Sequence, residues 1–379
     1  MAADADILII GGGLAGLTAG IHLSQHHLRV ILLEKHLYPQ HKVCGEYVSN
    51  EVTPYLNQLG IDITALHPSR IHRFLFSTAS GKTIESELPL GGFGASRYAL
   101  DLLLRQKAGL SGVDVRQEQV DAVQFEQDGF CVRTSAGRTY RVGIVIGAYG
   151  KRSLLDKQLR RSFIQQESPW MGIKAHYQAP FPDDLVSLHH FKGGYCGLCQ
   201  VENNVVNACY LTNYNSFKPY KNIGVFQQQV MGQNPFLKDF FAKATPLFDK
   251  PLTISQISFA HKPPVEQHML MCGDTAGVIH PLCGNGMAMA VHSAKLASEL
   301  IIAYAEGTIS SRSELERAYT RAWNREFKKR LTTGRIVQSF LQNATMASIL
   351  LNSLQRLPSV LPLLIKQTHG KPLVASTLG

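Results

Sequence analysis

Two kinds of hydrophobic pattern alternate along this 379-residue chain. The first is the short unbroken apolar run of a strand buried on both faces, seen at Ile7–Ile10, Val30–Leu33, Val142–Ile146 and Met269–Cys272. The second is alternation of apolar and polar positions, the mark of a strand with one face on a core and one in water. It covers Ile71–Leu88 around Ser80-Gly81-Lys82, which reads as a hairpin, and recurs between 165 and 264 at Met171–Tyr177, Val186–Phe191 and Val205–Tyr214. Val113–Val115, Val120–Glu126, Phe130–Thr134 and Thr139–Val142 are shorter strand candidates between polar turns. Helical stretches are expected from the glycines after Ile10 to about Gln25, Asn50–Leu59, after Ser96 as N-cap, Val225–Ala242, Met287–Ala305, and from Ser313 onward. Gly91-Gly92-Phe93-Gly94 reads as a flexible hinge.

This order predicts an α/β fold, α+β overall. A Rossmann-like nucleotide-binding domain is built from residues 1–70, 95–164 and 265–305. An antiparallel β-sheet domain with one solvated face, from 71–94 and 165–264, is inserted to bind substrate. Residues 306–379 form a C-terminal helical region whose apolar tail, Met346–Leu351 and Val360–Ile365, packs on the protein or touches a membrane surface.

The first buried strand runs straight into Gly11-Gly12-Gly13-Leu14-Ala15-Gly16, a G-x-G-x-x-G turn that opens a helix. Gly11 permits the tight turn, Gly13 admits a pyrophosphate to the backbone, and Gly16 lets helix and strand pack closely. The N–H groups at Leu14 and Ala15 begin a helix whose positive dipole end suits phosphate. Glu34 closes the second strand eighteen residues past Gly16, with Lys35 beside it, placed to bind a ribose diol. The motif identifies an ADP moiety and leaves FAD and NAD open.

Composition narrows the rest. Basic residues number 38 against 28 acidic, a net charge of +10 that is scattered apart from Lys151-Arg152 with Arg160-Arg161 and Arg325–Arg330. No nucleic-acid-binding motif accompanies the charge, so nucleic acid is excluded as partner; an anionic substrate, a carrier or a membrane surface remains. Seven cysteines scattered along the chain do not make a secreted disulfide framework. No apolar run reaches the eighteen or so residues of a membrane span, and no signal-like segment opens the chain, so a cytoplasmic protein is expected.

Three later motifs align with the first: Arg97-x-x-Leu100-Asp101; Gly147-Ala148-Tyr149-Gly150-Lys151-Arg152-Ser153; and Cys272-Gly273-Asp274-Thr275-Ala276-Gly277, with Pro281 and Gly284-Asn285-Gly286-Met287 behind it. With this set, residues 5–305 resemble the FAD-dependent oxidoreductases of the para-hydroxybenzoate hydroxylase (group A flavoprotein) superfamily. Val43-Cys44-Gly45-Glu46 resembles the CG segment of its geranylgeranyl-reductase-like branch. The resemblance implies FAD as cofactor and NAD(P)H as reductant. It puts the pyrophosphate on Gly11, Gly13 and Gly16, the adenosine ribose on Glu34, and the pyrophosphate or ribityl region on Arg97, whose helix Asp101 orders. Gly273 and Asp274 would bind the ribityl and phosphate groups, and Gly284, Asn285, Gly286 and Met287 would face the flavin N1–C2=O edge. Cys44 and Gly45 would lie in the substrate-facing segment.

The implied reaction is hydride transfer between flavin N5 and a largely apolar or carrier-bound small molecule. The alternative is a monooxygenase acting through a C4a-hydroperoxide, by hydroxylation, epoxidation or Baeyer–Villiger type insertion. Tyr149 stands where the family carries an acid, and Gly194–Cys199 does not match the aromatic signature of lipid-reducing members. The W-x-W-x-I-P halogenase motif is absent, the only tryptophans being Trp170 and Trp323. Cys196-x-x-Cys199 has no second ligand pair at zinc spacing, and residues three apart on a strand face opposite ways, so neither metal nor disulfide is expected. His26-His27 and His189-His190 read as surface or core histidines. Lys174 and His176 alternate on one strand and, with Cys44, are the catalytic candidates.

Overall fold

The four unbroken apolar runs meet in one sheet. The computed structural model describes residues 3–280, 284–342 and 370–374. Strand β1 (Ala5–Ile10) leads through helix α1 (Leu14–Gln25) to β2 (Val30–Glu34), and the two pair in parallel with Ile7 opposite Val30. Burial on both faces is complete at Leu8, Ile9 and Leu32, which is why no alternation appears in the sequence.

A short strand β3 (Tyr47–Ser49) and helix α2 (Thr53–Gln58) follow. The hairpin is β4 (Ser69–Ser77) with β5 (Thr83–Gly94), and helix α3 (Arg97–Leu110) comes next, with Ser96 Oγ accepting the Ala99 amide at 3.0 Å. Strands β6 (Asp114–Gln117), β7 (Val120–Glu126), β8 (Gly129–Thr134) and β9 (Thr139–Gly147) return the chain to the first sheet. The candidates Thr139–Val142 and Val142–Ile146 are one continuous strand, β9, with Ile7 opposite Ile144.

After helix α4 (Leu154–Gln158) comes a second sheet: β10 (Trp170–Gln178), β11 (Leu185–Phe191), β12 (Gly194–Gln200) and β13 (Val205–Asn213). Helices α5 (Tyr214–Phe217), α6 (Ile223–Gln229) and α7 (Pro235–Lys243) follow, then short strands β14 (Thr245–Pro246), β15 (Leu252–Ile254), β16 (Val265–Glu266) and β17 (Met269–Met271). Helices α8 (Gly286–Ala305) and α9 (Arg312–Gln342) complete the order. The first sheet runs β16-β17-β9-β1-β2-β6, with β7 and β8 joined through β9; the second runs β14-β10-β13-β12-β11-β4-β5-β3.

Three expectations change. The second sheet is mixed, because β11 joins β4 in parallel, Phe74 opposite Val186. Its outer face is not solvated: Ile173, Phe191 and Tyr210 pack against Phe226, Met231 and Leu237 of the α6–α7 region. The alternation instead separates two different interiors, an apolar one under the helices and a mixed one over the first sheet. Third, Gly91–Gly94 is no hinge. It ends β5, where Gly92 pairs with Ser49 and Gly94 with Tyr47. A Cβ on Gly92 would fall 2.4 Å from the Tyr47 ring, and one on Gly94 1.9 Å from the Gln200 carbonyl, so these glycines serve close approach rather than mobility.

Helix α9 packs along α8 through Leu315, Tyr319, Trp323 and Phe327. Residues 370–374 return to the core, with Leu373 buried and its N–H on the Glu51 carbonyl at 2.7 Å. The apolar tail singled out in the sequence lies outside the described residues. Among those described, no helix is long and apolar enough to cross a membrane.

Candidate active site

The glycine turn after β1 is packed from both sides. Gly11 has φ +105°, and a Cβ there would fall 2.5 Å from the Ala148 carbonyl. Glu34 is buried, with Oε2 accepting the Gly12 amide at 2.7 Å and Oε1 the His36 amide at 3.0 Å. The Tyr38 hydroxyl donates to the Gly12 carbonyl at 2.5 Å. The carboxylate expected to hold a ribose thus also braces the turn, with lone pairs left for hydroxyl donors.

Two helix N-termini open on the same cleft. Helix α1 starts at Gly13, which offers no side chain to cap it, and among the described residues no N-cap side-chain bond closes α8 at Asn285. Neither helix carries an acid in its first turn. By contrast α3 is capped by Ser96. Uncapped N–H groups with the positive dipole end make α1 and α8 sites for negative charge, each worth about 0.3–1 kcal/mol when exposed and up to about 2 when partly buried.

Between them lies a net of ion pairs. Arg97 lines the cleft and holds Asp101 through Nε at 2.7 Å and Nη2 at 2.8 Å, while Lys42 Nζ meets the same carboxylate at 2.8 Å. Burial works against the Asp101 charge, but Arg97 and Lys42 outweigh it and hold its pKa below the ordinary carboxylate value. The Arg97 guanidinium is likewise desolvated, and Asp101 more than compensates, raising its pKa.

On the far side, Lys151 Nζ lies 3.4 Å from Asp274, which raises the Lys151 pKa against the effect of burial. Lys262 Nζ donates to the carbonyls of Asp274 (2.9 Å) and Lys151 (2.8 Å), and burial pushes its pKa down to about 8. The Gly150 amide on Thr275 Oγ1 at 2.8 Å ties the second and third motifs together.

The cleft holds about 1620 Å³, its open mouth included. Gly13, Leu14, Ala15, Arg97, Gly273, Asp274, Gly284, Asn285, Gly286 and Met287 line its first-sheet side, and Cys44 and Gly45 cross it. The opposite wall is mainly apolar: Phe74 and Leu88 of the hairpin, Val186 and Leu188 of β11, Leu211 of β13, and Ile257, with Tyr195 and Cys209 among them. Gly11 and Gly16 stand behind the lining as packing residues, and Lys35 is exposed away from it.

Lys174 and His176 are not part of the wall; they point at Glu46. Lys174 Nζ lies 2.5 Å from Glu46 Oε1, His176 Nε2 lies 2.7 Å from Oε2, and all three residues are buried. Glu46 is the residue that sequence reasoning missed, because an acid in a loop after Gly45 gave no sign that it faces β10. His41 joins these groups: ligand-type atoms of His41, Glu46 and His176 lie within 4.8 Å of one another. Lys174 on the carboxylate opposes a dication there.

Tyr149 turns its hydroxyl to Asp156 at 3.3 Å. Cys196 belongs to the outer apolar cluster while Cys199 donates to the Gly45 carbonyl, so the two thiols do face opposite ways. His26 and His27 are exposed, and His189 is a core histidine between Ser77 and Ser187.

Residues 4–325 match the FAD binding domain family. The conditioned medium factor receptor 1 of Dictyostelium discoideum is 23% identical over 368 residues, covering 89% of this chain and 70% of the relative. A menaquinone reductase of Mycobacterium tuberculosis is 22% identical over 320 residues, covering 79% and 76%. Among solved structures, the flavin-dependent brominase Bmp2 superposes with a TM-score of 0.79 over 96% of this chain and 93% of its own, at 18% identity, a likeness of fold. This chain belongs to the FAD binding domain family and is an FAD-dependent oxidoreductase or monooxygenase.

Proposed function

We propose that this member of the FAD binding domain family is an oxidoreductase that exchanges hydride between flavin and a largely apolar, unsaturated small molecule, free or carrier-bound. One observation carries the reading: two helix N-termini with no side-chain N-cap bond among the described residues, and Arg97, line one side of a cleft whose other wall is mainly apolar. Bound FAD supplies hydride donor or acceptor chemistry at its ring system.

The residues fit that group. Amides at the start of α1, with Arg97 beside the open face of Gly13, would hold the pyrophosphate; a Cβ on Gly13 would have only Arg97 Nη2 near it, at 3.5 Å. Glu34 would accept ribose hydroxyls, and Asp274 with Gly273 would meet the ribityl chain. Amides at Gly286 and Met287 would stabilise negative charge that builds on the flavin edge during reduction, a preorganised stabilisation that needs no side chain. Phe74, Leu88, Val186, Leu188 and Leu211 would desolvate an apolar substrate and exclude water from the hydride path.

We place the chain in the geranylgeranyl-reductase-like branch on the strength of Cys44-Gly45, which lines the cleft between the two sides. The relative named as a menaquinone reductase supports reduction of an apolar acceptor. NAD(P)H is the proposed reductant, and contact with a membrane surface is proposed for the apolar C-terminal stretch. Matches to FAD-dependent monooxygenases over 46% and 42% of the chain support a second reading, oxygen insertion.

Anaerobic reduction of the purified flavoprotein by NADH or NADPH, followed by oxygen, separates them. Slow reoxidation without a transient oxygen adduct, with turnover on a quinone or isoprenoid acceptor, supports the reductase. A transient adduct that decays faster with substrate would establish the second reading and overturn the first.

A further inference from the structure

Glu46 is an acidic residue in the left-handed region, φ +59°, with no solvent exposure. Such a backbone is strained for a non-glycine residue and persists only where the surroundings hold it. Here they do. Its carboxylate accepts three donors: Lys174 Nζ at 2.5 Å, the Arg97 amide at 2.7 Å and, on the other oxygen, His176 Nε2 at 2.7 Å. Its own carbonyl accepts the Ala95 amide at 3.1 Å. Burial opposes its charge, yet the His176 bond and Lys174 keep it below the ordinary glutamate pKa.

These partners come from different layers. Arg97 is the first residue of α3, whose side chain lines the cleft, whereas Lys174 and His176 stand on β10 of the second sheet. A second carboxylate acts in the same sense: Glu202, between β12 and β13, accepts the Ser96 amide at 2.8 Å and the Ser96 hydroxyl. Both acids meet the positive end of α3, so the start of this helix is clamped by the sheet that forms the apolar wall. The loop just before Glu46 is held by that sheet too. Asn207 Nδ2 donates to the Cys44 and Gly45 carbonyls at 3.2 and 2.9 Å.

We propose that Glu46 is a positioning residue of the flavin site, held by Lys174 and His176 so that Arg97 and the Cys44–Gly45 segment face the cofactor at a fixed distance from the substrate wall. Glu46 itself borders the cleft, and it acts on the cofactor through Arg97. The inference rests on the flavin reading above. Among the described residues, the other titratable groups that feel it are His41, Cys199 and Cys209; the Arg97 guanidinium is neutralised by Asp101 and gives Glu46 only its backbone amide.

The test is FAD affinity of the full chain by fluorescence quenching, with the visible spectrum of bound flavin and the melting temperature of the apoprotein. Glu46→Gln alone strands the Lys174 ammonium and can fail to fold. The informative variant is therefore Glu46→Gln with Lys174→Met, which removes both charges. It is expected to melt close to wild type while its FAD Kd rises at least tenfold and the flavin band loses fine structure. In an Arg97→Lys background the same pair of changes is expected to add less than threefold, because they act through one group.

A folded double variant that binds FAD within twofold of wild type overturns the proposal, as does full additivity with Arg97→Lys. Wild-type protein that does not bind FAD would overturn the flavin reading instead, a different result.

Discussion

A Cβ placed on Gly16 would lie 2.0 Å from the carbonyl oxygen of Gly11, so the first turn of α1 rests directly on the turn that precedes it. Backbone cannot yield there as a side-chain tip would. Gly16→Ala is expected to push α1 off β1, costing about 1–3 kcal/mol by the usual scale of overpacking and weakening FAD binding at least tenfold. Gly13→Ala is the contrast: its Cβ meets only Arg97 Nη2 at 3.5 Å, an ordinary contact. That variant should melt like wild type and still lose FAD. Melting curves with and without FAD read both outcomes, and equal destabilisation by the two changes would refute the distinction.

Asp101→Asn should strand Arg97 and Lys42 together in a buried site. Breaking a buried ion pair from one side costs about 3–5 kcal/mol. The pH sign follows from the depressed Asp101 pKa. Its stabilisation is complete above the unfolded-state value near 3.9 and drains away as pH falls through the lower folded value. The variant should therefore be weaker at neutral pH and flatter below pH 4, as measured by urea midpoints. A parallel downward shift at every pH would count against this account.

His22, His189 and His292 are held by burial at about 4, and His280 at about 3. An unfolded histidine takes a proton near 6.5, so between 6.5 and 4 the unfolded state binds more protons and stability must fall on acidification. Each such residue contributes a slope of about 1.4 kcal/mol per pH unit in that window. His189→Gln, keeping a hydrogen-bonding group between Ser77 and Ser187, should reduce the slope by up to one proton. An unchanged slope would show that His189 is protonated in the fold.

Glu51 is buried and gathers remote pieces of chain: Arg330 Nη1 at 3.4 Å, Asn285 Nδ2 at 3.3 Å and the Gly370 amide at 2.5 Å. A Cβ on Gly370 would fall 2.6 Å from Arg330 and 2.7 Å from Glu51. Gly370→Ala should push these two side-chain tips aside and loosen the Arg330–Glu51 pair, lowering stability by less than Gly16→Ala does, about 1 kcal/mol. Because Asn285 lines the cleft, FAD affinity should drop with it. Thermal melts and FAD titration check the pair, and loss of stability at unchanged affinity would uncouple them.

The first sheet was legible because its strands are buried on both faces and so carry unbroken apolar runs; Ile7–Ile10 and Met269–Cys272 lie 259 residues apart in the chain yet share one sheet. The turns were legible because Gly11, Gly273 and Gly284 occupy backbone that side chains disfavour. The second sheet misled on its outer face, since alternation reports two environments without saying whether either is water. Gly92 and Gly94 misled for a related reason. A glycine chosen for close approach and one chosen for freedom are the same letter, and the contact that distinguishes them comes from Tyr47 and Gln200.

What the chain determined by itself is therefore the local chemistry: a glycine turn between strand and helix, an acid at Glu34, and small-residue motifs around Asp274 and Gly284. Those depend on neighbours a few residues away, and periodicity or φ preference encodes them. Tertiary structure alone decided that the N-termini of α1 and α8 open on one cleft, that its far wall is mainly apolar, and that Lys174 and His176 stand behind Glu46 instead of lining that cleft themselves. Glu46 and Lys174 are 128 residues apart. Their pairing is stabilised only where desolvation makes an isolated charge costly, and desolvation is a property of the packed molecule.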